Sequence, residues 1–322
     1  MKALVTGGAG FIGSHLAEAL LKKKHEVYCL DNLTTGSVKN IRHLKKRKTF
    51  HFFVDDVTNE NIVRRLVKKA DIIFHLAAAV GVKYILDNPL DSIKTNVKGT
   101  EIVLECANAY GKKKVFLAST SEIYGKNKNG KDSFKEGDDR LLGSTTKWRW
   151  SYSCTKALDE FLSLAYHREK ELPVVIGRFF NTCGPRQTGR YGMVIPRFIK
   201  QALMDKPITV YGDGKQTRCF LYIDDAIRAI MGLVNDERAT GEIFNIGNPK
   251  SITILKLAGK IKSFTNSKSK IELVPYERAY EKGFEDMRHR KPDIGKIKAL
   301  IKFSPQIGIN ELIKKTIKHF EG

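Results

Sequence analysis

The residues best suited to chemistry are a tyrosine and a lysine four positions apart, Tyr152 and Lys156, in the helical pattern of 148–170. Residues at this spacing share one helix face, so the ammonium can lie beside the phenol. A phenol with a pKa of about 10 is a poor base at neutral pH, but a nearby positive charge stabilises the phenolate. The hydroxyl of Thr120 can join a substrate hydroxyl to this tyrosine. The same spacing also occurs by chance in amphipathic helices, so its meaning depends on the surrounding elements.

The first fourteen residues predict a phosphate-binding turn. Lys2–Thr6 has the composition of a strand, three glycines follow at G-x-x-G-x-x-G spacing, and a helical pattern begins at Phe11. A strand, a glycine turn and a helix N-terminus place backbone N–H groups where a pyrophosphate can bind. A helix-capping turn that binds nothing is the alternative. The cofactor-binding candidates in this stretch are Gly7, Gly10, Phe11, Ile12 and Gly13.

Asp31 follows the second predicted strand, 25–30, and lies roughly 20 residues beyond the glycines. A carboxylate at this distance accepts the ribose hydroxyls of adenosine and would repel a 2′-phosphate, so we expect NAD rather than NADP. A turn-forming Asp-Asn pair is the alternative. The remaining predicted cofactor contacts are Asn32, Asp56, Val57, Leu76, Ala77 and Ala78, with Tyr152 and Lys156 at the nicotinamide end.

Apolar strands alternate with helical patterns in the first half of the chain, which predicts a parallel sheet covered on both faces. The further strands are 50–54, 71–75, 115–118 and 174–179, and the long helices are 89–110 and 148–170. The alternation weakens after 180, although single strands are predicted at 217–222 and 242–246. We expect an α/β fold: a Rossmann-type doubly wound sheet in 1–180, elements around 217–247 returning to it, and a smaller α/β substrate lobe in 181–322.

The composition limits the possible functions. No apolar run is long enough to span a membrane, and the sequence leaves no room for a signal peptide before the first strand, so a cytoplasmic protein is expected. Five widely spaced cysteines and eight scattered histidines indicate neither a disulfide framework nor a metal site. The net charge of +22 would suit a nucleic-acid binder. Because the lysines are spread along the whole chain, solvated surfaces explain this charge better and nucleic acid is not expected.

Taken in order, the motifs resemble those of extended short-chain dehydrogenases/reductases of the nucleotide-sugar epimerase/dehydratase family, over nearly the whole length. The matching segments are GGAGFIG at 7–13, HLAA at 75–78, TSEIYG at 120–125, Y-x-x-x-K at 152–156, GPR at 184–186 and YGDGKQTR at 211–218. The resemblance implies tightly held NAD, an NDP-sugar (a UDP-sugar above all) between two lobes, and a homodimer formed through the helices at 89–110 and 149–170.

The resemblance also implies the chemistry. Tyr152, assisted by Thr120 and Lys156, would remove the C4 hydroxyl proton of the sugar while hydride passes to NAD. By the same likeness Asn181 and Arg218 would contact the diphosphate. The substrate-binding candidates are Ser121, Asn181, Arg186, Arg218 and Arg290.

Two features favour UDP-glucuronate decarboxylases within this family. Glu122, in Thr-Ser-Glu, can serve as acid or base at C5 of the sugar, and epimerases often have a small neutral residue there. Dehydratases of the dTDP-glucose type carry an aspartate where Ser121 stands. The segments 280–286 and 289–293 resemble the decarboxylases, in which the arginine matching Arg290 meets the substrate carboxylate.

Each of these features has another explanation. Glu122 can cap the adjacent loop, and the tail can form a salt-bridged contact between lobes. A 4,6-dehydratase and a UDP-sugar 4-epimerase therefore remain alternative functions. A relative of a different class, which keeps the fold and binds RNA without catalysis, is suggested by the charge and opposed by the intact Thr120, Tyr152 and Lys156.

Overall fold

Short apolar runs form the strands of the computed structural model, which describes residues 1–127, 130, 132–189, 193–279 and 287–321. The strands are β1 Lys2–Thr6, β2 Glu26–Asp31, β3 Phe50–Val54, β4 Ile72–His75, β5 Lys114–Thr120, β6 Val174–Phe179, β7 Thr182–Cys183, β8 Ile208–Tyr211, β9 Thr217–Cys219, β10 Leu221–Tyr222, β11 Glu242–Ile246, β12 Ser251–Thr253, β13 Ile271–Val274 and β14 His289–Arg290.

Seven of these strands form one parallel sheet in the order β11-β6-β5-β4-β1-β2-β3. All residues of β4 and β6 are buried, as expected for strands covered on both faces. The registers align Thr6 with His75 and Thr120 with Phe179, so the carboxyl ends of four central strands meet at one edge. The predicted α/β class and doubly wound sheet are confirmed.

Helices cover both faces of the sheet. They are α1 Phe11–Lys22, α2 Glu60–Val67, α3 Val82–Asp87, α4 Pro89–Ala109, α5 Arg149–Lys170, α6 Val194–Leu203, α7 Ile223–Val234, α8 Ile254–Phe264, α9 Tyr276–Ala279, α10 Gly295–Ile301 and α11 Ile309–Glu321. Helices α1 and α7 pack on each other on one side, and α4 packs between α2 and α5 on the other. The apolar stripe of α1, which includes Leu16, Ala17 and Leu20, is fully buried.

The second half of the chain forms smaller sheets beside the carboxyl edge. Strand β9 pairs with β12 and β14, and β8 pairs with β13. The single strand predicted at 217–222 is wrong: β9 and β10 belong to different sheets. Asn181 holds the break, because its backbone carbonyl accepts from Leu221 N at 3.1 Å and its side-chain amide donates to Cys219 O at 3.2 Å. The strand predicted at 242–246 joins the central sheet beside β6.

Gly177 in β6 provides a test of core packing. A Cβ at this position would lie 2.7 Å from both Phe116 Cζ and Ile246 Cδ1, and Phe116 and Ile246 are fully buried. We expect Gly177→Ala to lower the free energy of unfolding by about 1–3 kcal/mol, because the core must shift to admit a methyl group. Gly259 in α8 is exposed, and a methyl group added there would have no neighbour within 4 Å, so Gly259→Ala should instead stabilise by about 0.5–1 kcal/mol. Chemical denaturation measures both, and equal effects would contradict the expectation.

Candidate active site

A cavity of about 820 Å³ lies at the carboxyl edge of the central sheet, between the sheet and the smaller C-terminal sheets. Most of the residues predicted from the sequence line it. They are Gly7, Gly10, Phe11, Ile12, Gly13, Asp31, Asn32, Val57, Leu76, Ala77, Ala78, Thr120, Ser121, Glu122, Tyr152, Asn181, Arg186, Arg218 and Arg290. Asp56 and Lys156 do not line the cavity, although they lie close to residues that do.

The glycine turn at one end of the cavity has room only for glycine. Gly7 has a φ of +69°, and a Cβ there would lie 2.9 Å from Ala77 N. A Cβ at Gly13 would lie 2.1 Å from Gly7 O, so the first turn of α1 approaches the backbone of the turn directly. The turn therefore presents backbone and the N-terminus of α1 to the cavity, which fits the pyrophosphate of a dinucleotide.

Asp31 connects this turn with the end of β2. Its Oδ2 accepts from Ala9 N at 2.9 Å and its Oδ1 from Leu33 N at 2.8 Å. Burial raises the pKa of the Asp31 carboxyl, and the N–H donors of Leu33, Ala9 and Gly10 oppose that rise. The carboxylate is thus fixed by backbone donors at the cavity wall, where the ribose of a dinucleotide would lie.

Asp56 supports the site without lining it. Its carboxylate accepts from Asn32 Nδ2 at 2.6 Å and from Thr58 N at 2.8 Å, and it also binds the hydroxyl of Thr58. The neighbours on either side, Asp55 and Val57, face the cavity. Asp56 therefore holds Asn32 in place, and its predicted contact with the cofactor stays a prediction.

Tyr152 comes from α5 and shares a hydrogen bond with Thr120 at the end of β5. Burial raises the pKa of the Tyr152 hydroxyl, and the negative charges of Glu122 and Asp159 raise it further, against the lowering effect of the Thr120 bond. A positive charge close to the hydroxyl is needed before Tyr152 can act as a base near neutral pH. In this structure the Lys156 ammonium, predicted to supply that charge, donates to Asp159 Oδ2 at 2.8 Å.

Glu122 follows β5 and lies between two arginines. Arg149 Nη2 lies 3.0 Å from Glu122 Oε2, and Arg290 Nη1 binds Glu122 Oε1. Burial alone would raise the pKa of Glu122, but the charges of Arg290, Arg149 and Arg218 outweigh it and lower the pKa to about 2. Glu122 is therefore a carboxylate at neutral pH that pairs with Arg149 and Arg290, and the charge of Arg218 also acts on it.

Arg149 is a functional candidate that the sequence alone did not single out. Its side chain is 6% exposed and its guanidinium pairs with Glu122. The spacing held a signal, because Arg149 lies three residues before Tyr152 and so on the same face of α5. Arg149 and Tyr152 accordingly line the same cavity.

Arg290 reaches the cavity because β14 pairs with β9, in a register that places it opposite Arg218. Its Nη2 donates to Asn181 Oδ1 at 2.8 Å, so Asn181 links the tail to the break between β9 and β10. The guanidinium of Arg186 instead binds Glu18 Oε2 on α1, at 2.6 Å. The predicted tail segment 280–286 lies outside the described residues.

The sequence indicated neither a metal site, nor a membrane-spanning segment, nor a disulfide framework. Within the described ranges, no group of three or more His, Cys, Asp or Glu side chains could hold a metal ion. The helices of the described ranges are also too short or too polar to cross a membrane. All five cysteines are free, and Cys154 alone is exposed.

Comparison with known proteins agrees with this site. A family model described as GDP-mannose 4,6 dehydratase matches residues 4–316. The UDP-N-acetyl-alpha-D-glucosaminuronate decarboxylase of Bacillus cytotoxicus is 45% identical to the chain, over 99% of this chain and 97% of its own. The chain belongs to the family that the GDP-mannose 4,6 dehydratase model describes. The resemblance to extended short-chain dehydrogenases/reductases that act on nucleotide sugars is thereby confirmed.

Two further members of the family extend the comparison. UDP-glucuronic acid decarboxylase 1 of Danio rerio is 35% identical, over 99% of this chain and 72% of its own. The structure of a UDP-glucuronic acid 4-epimerase from Bacillus cereus, in complex with UDP-glucuronic acid and NAD, has a TM-score of 0.89 and 30% identity, covering 100% of this chain and 99% of that one. The family therefore includes enzymes named for decarboxylation and for epimerisation.

The charge on Glu122 makes a prediction about acid stability. Its pKa is about 2 in the folded chain against an ordinary 4.5, so its contribution to stability is present above pH 4.5 and is lost as the pH falls towards 2. Glu122→Gln cannot titrate and leaves Arg149 and Arg290 without their carboxylate. We expect the variant to melt below the wild type at about pH 7, and this difference to shrink at about pH 3.

Melting temperatures measured across this range test the prediction, with Glu169→Gln as the control. Glu169 is exposed near the end of α5 and should show no difference at either pH. A difference between wild type and Glu122→Gln that does not change with pH would contradict the assignment.

Proposed function

We propose that this chain is an NAD-dependent UDP-uronate decarboxylase. The carrying observation is the Glu122 carboxylate held between Arg149 and Arg290 in the cavity that also contains Tyr152. Arg218 lines the same cavity and its charge also lowers the pKa of Glu122, so three guanidinium groups are gathered at this end. A nucleotide sugar that carries a diphosphate and a carboxylate complements these guanidinium groups better than a neutral sugar nucleotide does.

The cofactor proposed is NAD, and the glycine turn and Asp31 would hold its adenosine and pyrophosphate. Gly7 and Gly13 allow the turn to pack directly on the backbone of Ala77 and on itself, which a Cβ at either position would prevent, and both glycines line the cavity. When bound, NAD would supply the redox chemistry, as acceptor of the hydride from C4 of the sugar and donor of the same hydride at the end of the turnover. Relatives with NAD in their structures, such as the Bacillus cereus epimerase, support this proposal.

The residues of the chain would then act on the sugar. Tyr152 would take the proton of the C4 hydroxyl, and Thr120 would orient the Tyr152 phenol through the hydrogen bond between these two side chains. The product is a ketone at C4 with a carboxylate attached at C5, which is a β-keto acid. When carbon dioxide leaves, the electron pair of the broken bond moves into the C4 carbonyl and forms an enolate, which is then protonated at C5.

Glu122 and the arginines would control this second stage. The guanidinium groups of Arg290 and Arg149 orient the leaving carboxylate. The nearby negative charge of Glu122 weakens their hold and favours departure as neutral carbon dioxide. Because its pKa is about 2, Glu122 is charged in the resting enzyme and would act through that charge. To protonate C5, Glu122 would first have to take up a proton.

Epimerisation at C4 is the second candidate. The Bacillus cereus structure binds a uronate and is named a 4-epimerase, so a site that accepts a uronate does not by itself decide between the two reactions. The 45% identity to a decarboxylase, against 30% to this epimerase, favours decarboxylation. The substituent at C2, hydroxyl or acetamido, differs between the decarboxylases named above and is left to the assay.

The assembly and its setting are also proposals. Leu158 and Phe161 on α5 are 49% and 66% exposed, and α5 packs on α4. These apolar side chains support a homodimer formed through α4 and α5, in which they would be covered. We further propose that residues 181–322 provide the sugar-nucleotide lobe and that the enzyme works in the cytoplasm, where nucleotide sugars and NAD are both present.

The deciding experiment uses the purified protein with UDP-glucuronate or UDP-N-acetylglucosaminuronate and no added cofactor. We expect release of carbon dioxide and a UDP-sugar without the carboxylate. Tyr152→Phe should retain bound NAD and lose turnover by about 100-fold or more, because the missing oxygen acts in proton transfer. Recovery of only the C4 epimer would overturn the proposal in favour of epimerisation, and a product lighter by one water would indicate dehydration.

The carboxylate-binding role of Arg290 has a matched control two residues away. Arg288 is 76% exposed and pairs weakly with Asp213, whereas Arg290 is buried against Glu122 and Asn181. We expect Arg290→Gln to lower kcat/KM for the uronate by about 100-fold, since a buried charged contact is worth about 3 kcal/mol. Arg288→Gln should stay within about twofold of the wild type. Steady-state kinetics measures both, and equal losses would contradict the assignment.

A further inference from the structure

Lys156 and Asp159 form a buried ion pair beside the cavity. The ammonium lies 2.8 Å from Asp159 Oδ2, and the two side chains are 2% and 1% exposed. The second oxygen, Asp159 Oδ1, is buried and has no hydrogen-bond partner among the described residues. The Asp159 carboxylate is thus held by a single strong contact, and that contact is to the lysine of the Tyr152–Lys156 pair.

The next carboxylate along α5 shows that this arrangement is particular to Asp159. Glu160 is bound by Arg178 through two N–H groups, at 2.9 and 2.7 Å, and also accepts from Ser119. The charge of Glu160 is therefore balanced by Arg178. Asp159 has no such arginine among the described residues, so its charge acts on Lys156 and on the groups around it.

The groups that face Tyr152 and Lys156 can be named from each packed element. From β5 and the turn after it come the Thr120 hydroxyl and the Glu122 carboxylate, whose charge Arg149 and Arg290 partly neutralise. From β4 comes His75, which burial keeps neutral by lowering its pKa to about 3. Two cations therefore share the helix face of Tyr152: Arg149, which pairs with Glu122, and Lys156, which pairs with Asp159. Asp159 is the charge that opposes Lys156.

We propose that Asp159 is a positioning residue, which fixes the Lys156 ammonium on α5 and offsets its charge beside the Tyr152 hydroxyl. A carboxylate close to an ammonium cancels most of its field at longer range. Asp159 therefore limits how readily Tyr152 gives up its proton. This inference rests on the proposed function only in taking Tyr152 as the base.

The test replaces Asp159 by asparagine, which keeps the shape and an oxygen that can accept from Lys156. We expect the acidic limb of the pH profile of kcat/KM to move down by about 1 pH unit, so that below the limb the variant is up to about tenfold faster than the wild type. A limb that stays in place or moves up would overturn the proposal. Asp159→Ser, smaller and also neutral, is the second variant and carries the same expectation should the asparagine variant fail to fold.

Glu160→Gln is the matched control, because it neutralises the adjacent buried carboxylate. We expect it to lower the melting temperature, since Arg178 loses its partner, and to leave the acidic limb unchanged. A limb that moves equally in both variants would mean that Asp159 has only the general effect of a buried charge, and would overturn the positioning role.

A titration without substrate separates this inference from the proposed function. The near-ultraviolet absorbance gained by tyrosinate is measured for the NAD-bound protein and for its Tyr152→Phe counterpart, and the difference reports Tyr152 alone. We expect this difference to appear at lower pH in Asp159→Asn than in the wild type. The result applies even if the wild type decarboxylates no uronate, and ionisation at the same or higher pH would refute the role of Asp159.

Discussion

The carboxyl edge of the sheet depends on the pairing of buried charges. A charge taken out of water must find an opposite charge or several donors, or the chain is destabilised by several kcal/mol. Here Glu160 pairs with Arg178, Asp159 with Lys156, and Glu122 with Arg149 and Arg290. The first pair ties α5 to the sheet, the second lies within α5, and the third ties α5 to the tail. Ion pairs thus hold α5, the helix that carries Tyr152, to the sheet through Glu160 and to the turn after β5 through Arg149.

The cofactor end of the cavity follows a steric constraint. Backbone must approach backbone within van der Waals contact, which excludes every side chain at Gly7 and Gly13. No charge pairing is needed for this part, because the N–H groups and the N-terminus of α1 supply a fixed positive field. The two ends of one cavity are therefore built on different principles: backbone dipoles suit the cofactor phosphates, and side-chain charges suit the sugar.

This difference explains how much the sequence could predict. The strands of the sheet and the glycine turn follow from local patterns, since alternation and glycine spacing reflect the backbone alone. The face shared by Tyr152 and Lys156 followed from helix geometry. The partner of Lys156 did not, because Asp159 and Glu160 are adjacent acids and only the packed structure decides which one meets the lysine and which one Arg178.

Contacts between residues far apart in the sequence could not be predicted from local patterns either. The split of 217–222 into two strands depends on Asn181, which lies some 40 residues earlier in the chain and is also bound by Arg290. Asp56 lies in the loop that the sequence predicted, and the bonds of its carboxylate to Asn32 and Thr58 could not be read from the sequence. Residue type and spacing identify which loops meet at the cavity. Only packing fixes which side chain of each loop faces it.

The contact between Glu122 and Arg290 joins residues that are 168 positions apart. During synthesis the ribosome delivers Glu122 and Tyr152 long before Arg290. A nascent chain can thus contain the whole glycine turn while Glu122 still lacks Arg290, one of its two arginine partners. The arginine end of the cavity can therefore be complete only after the ribosome has passed residue 290.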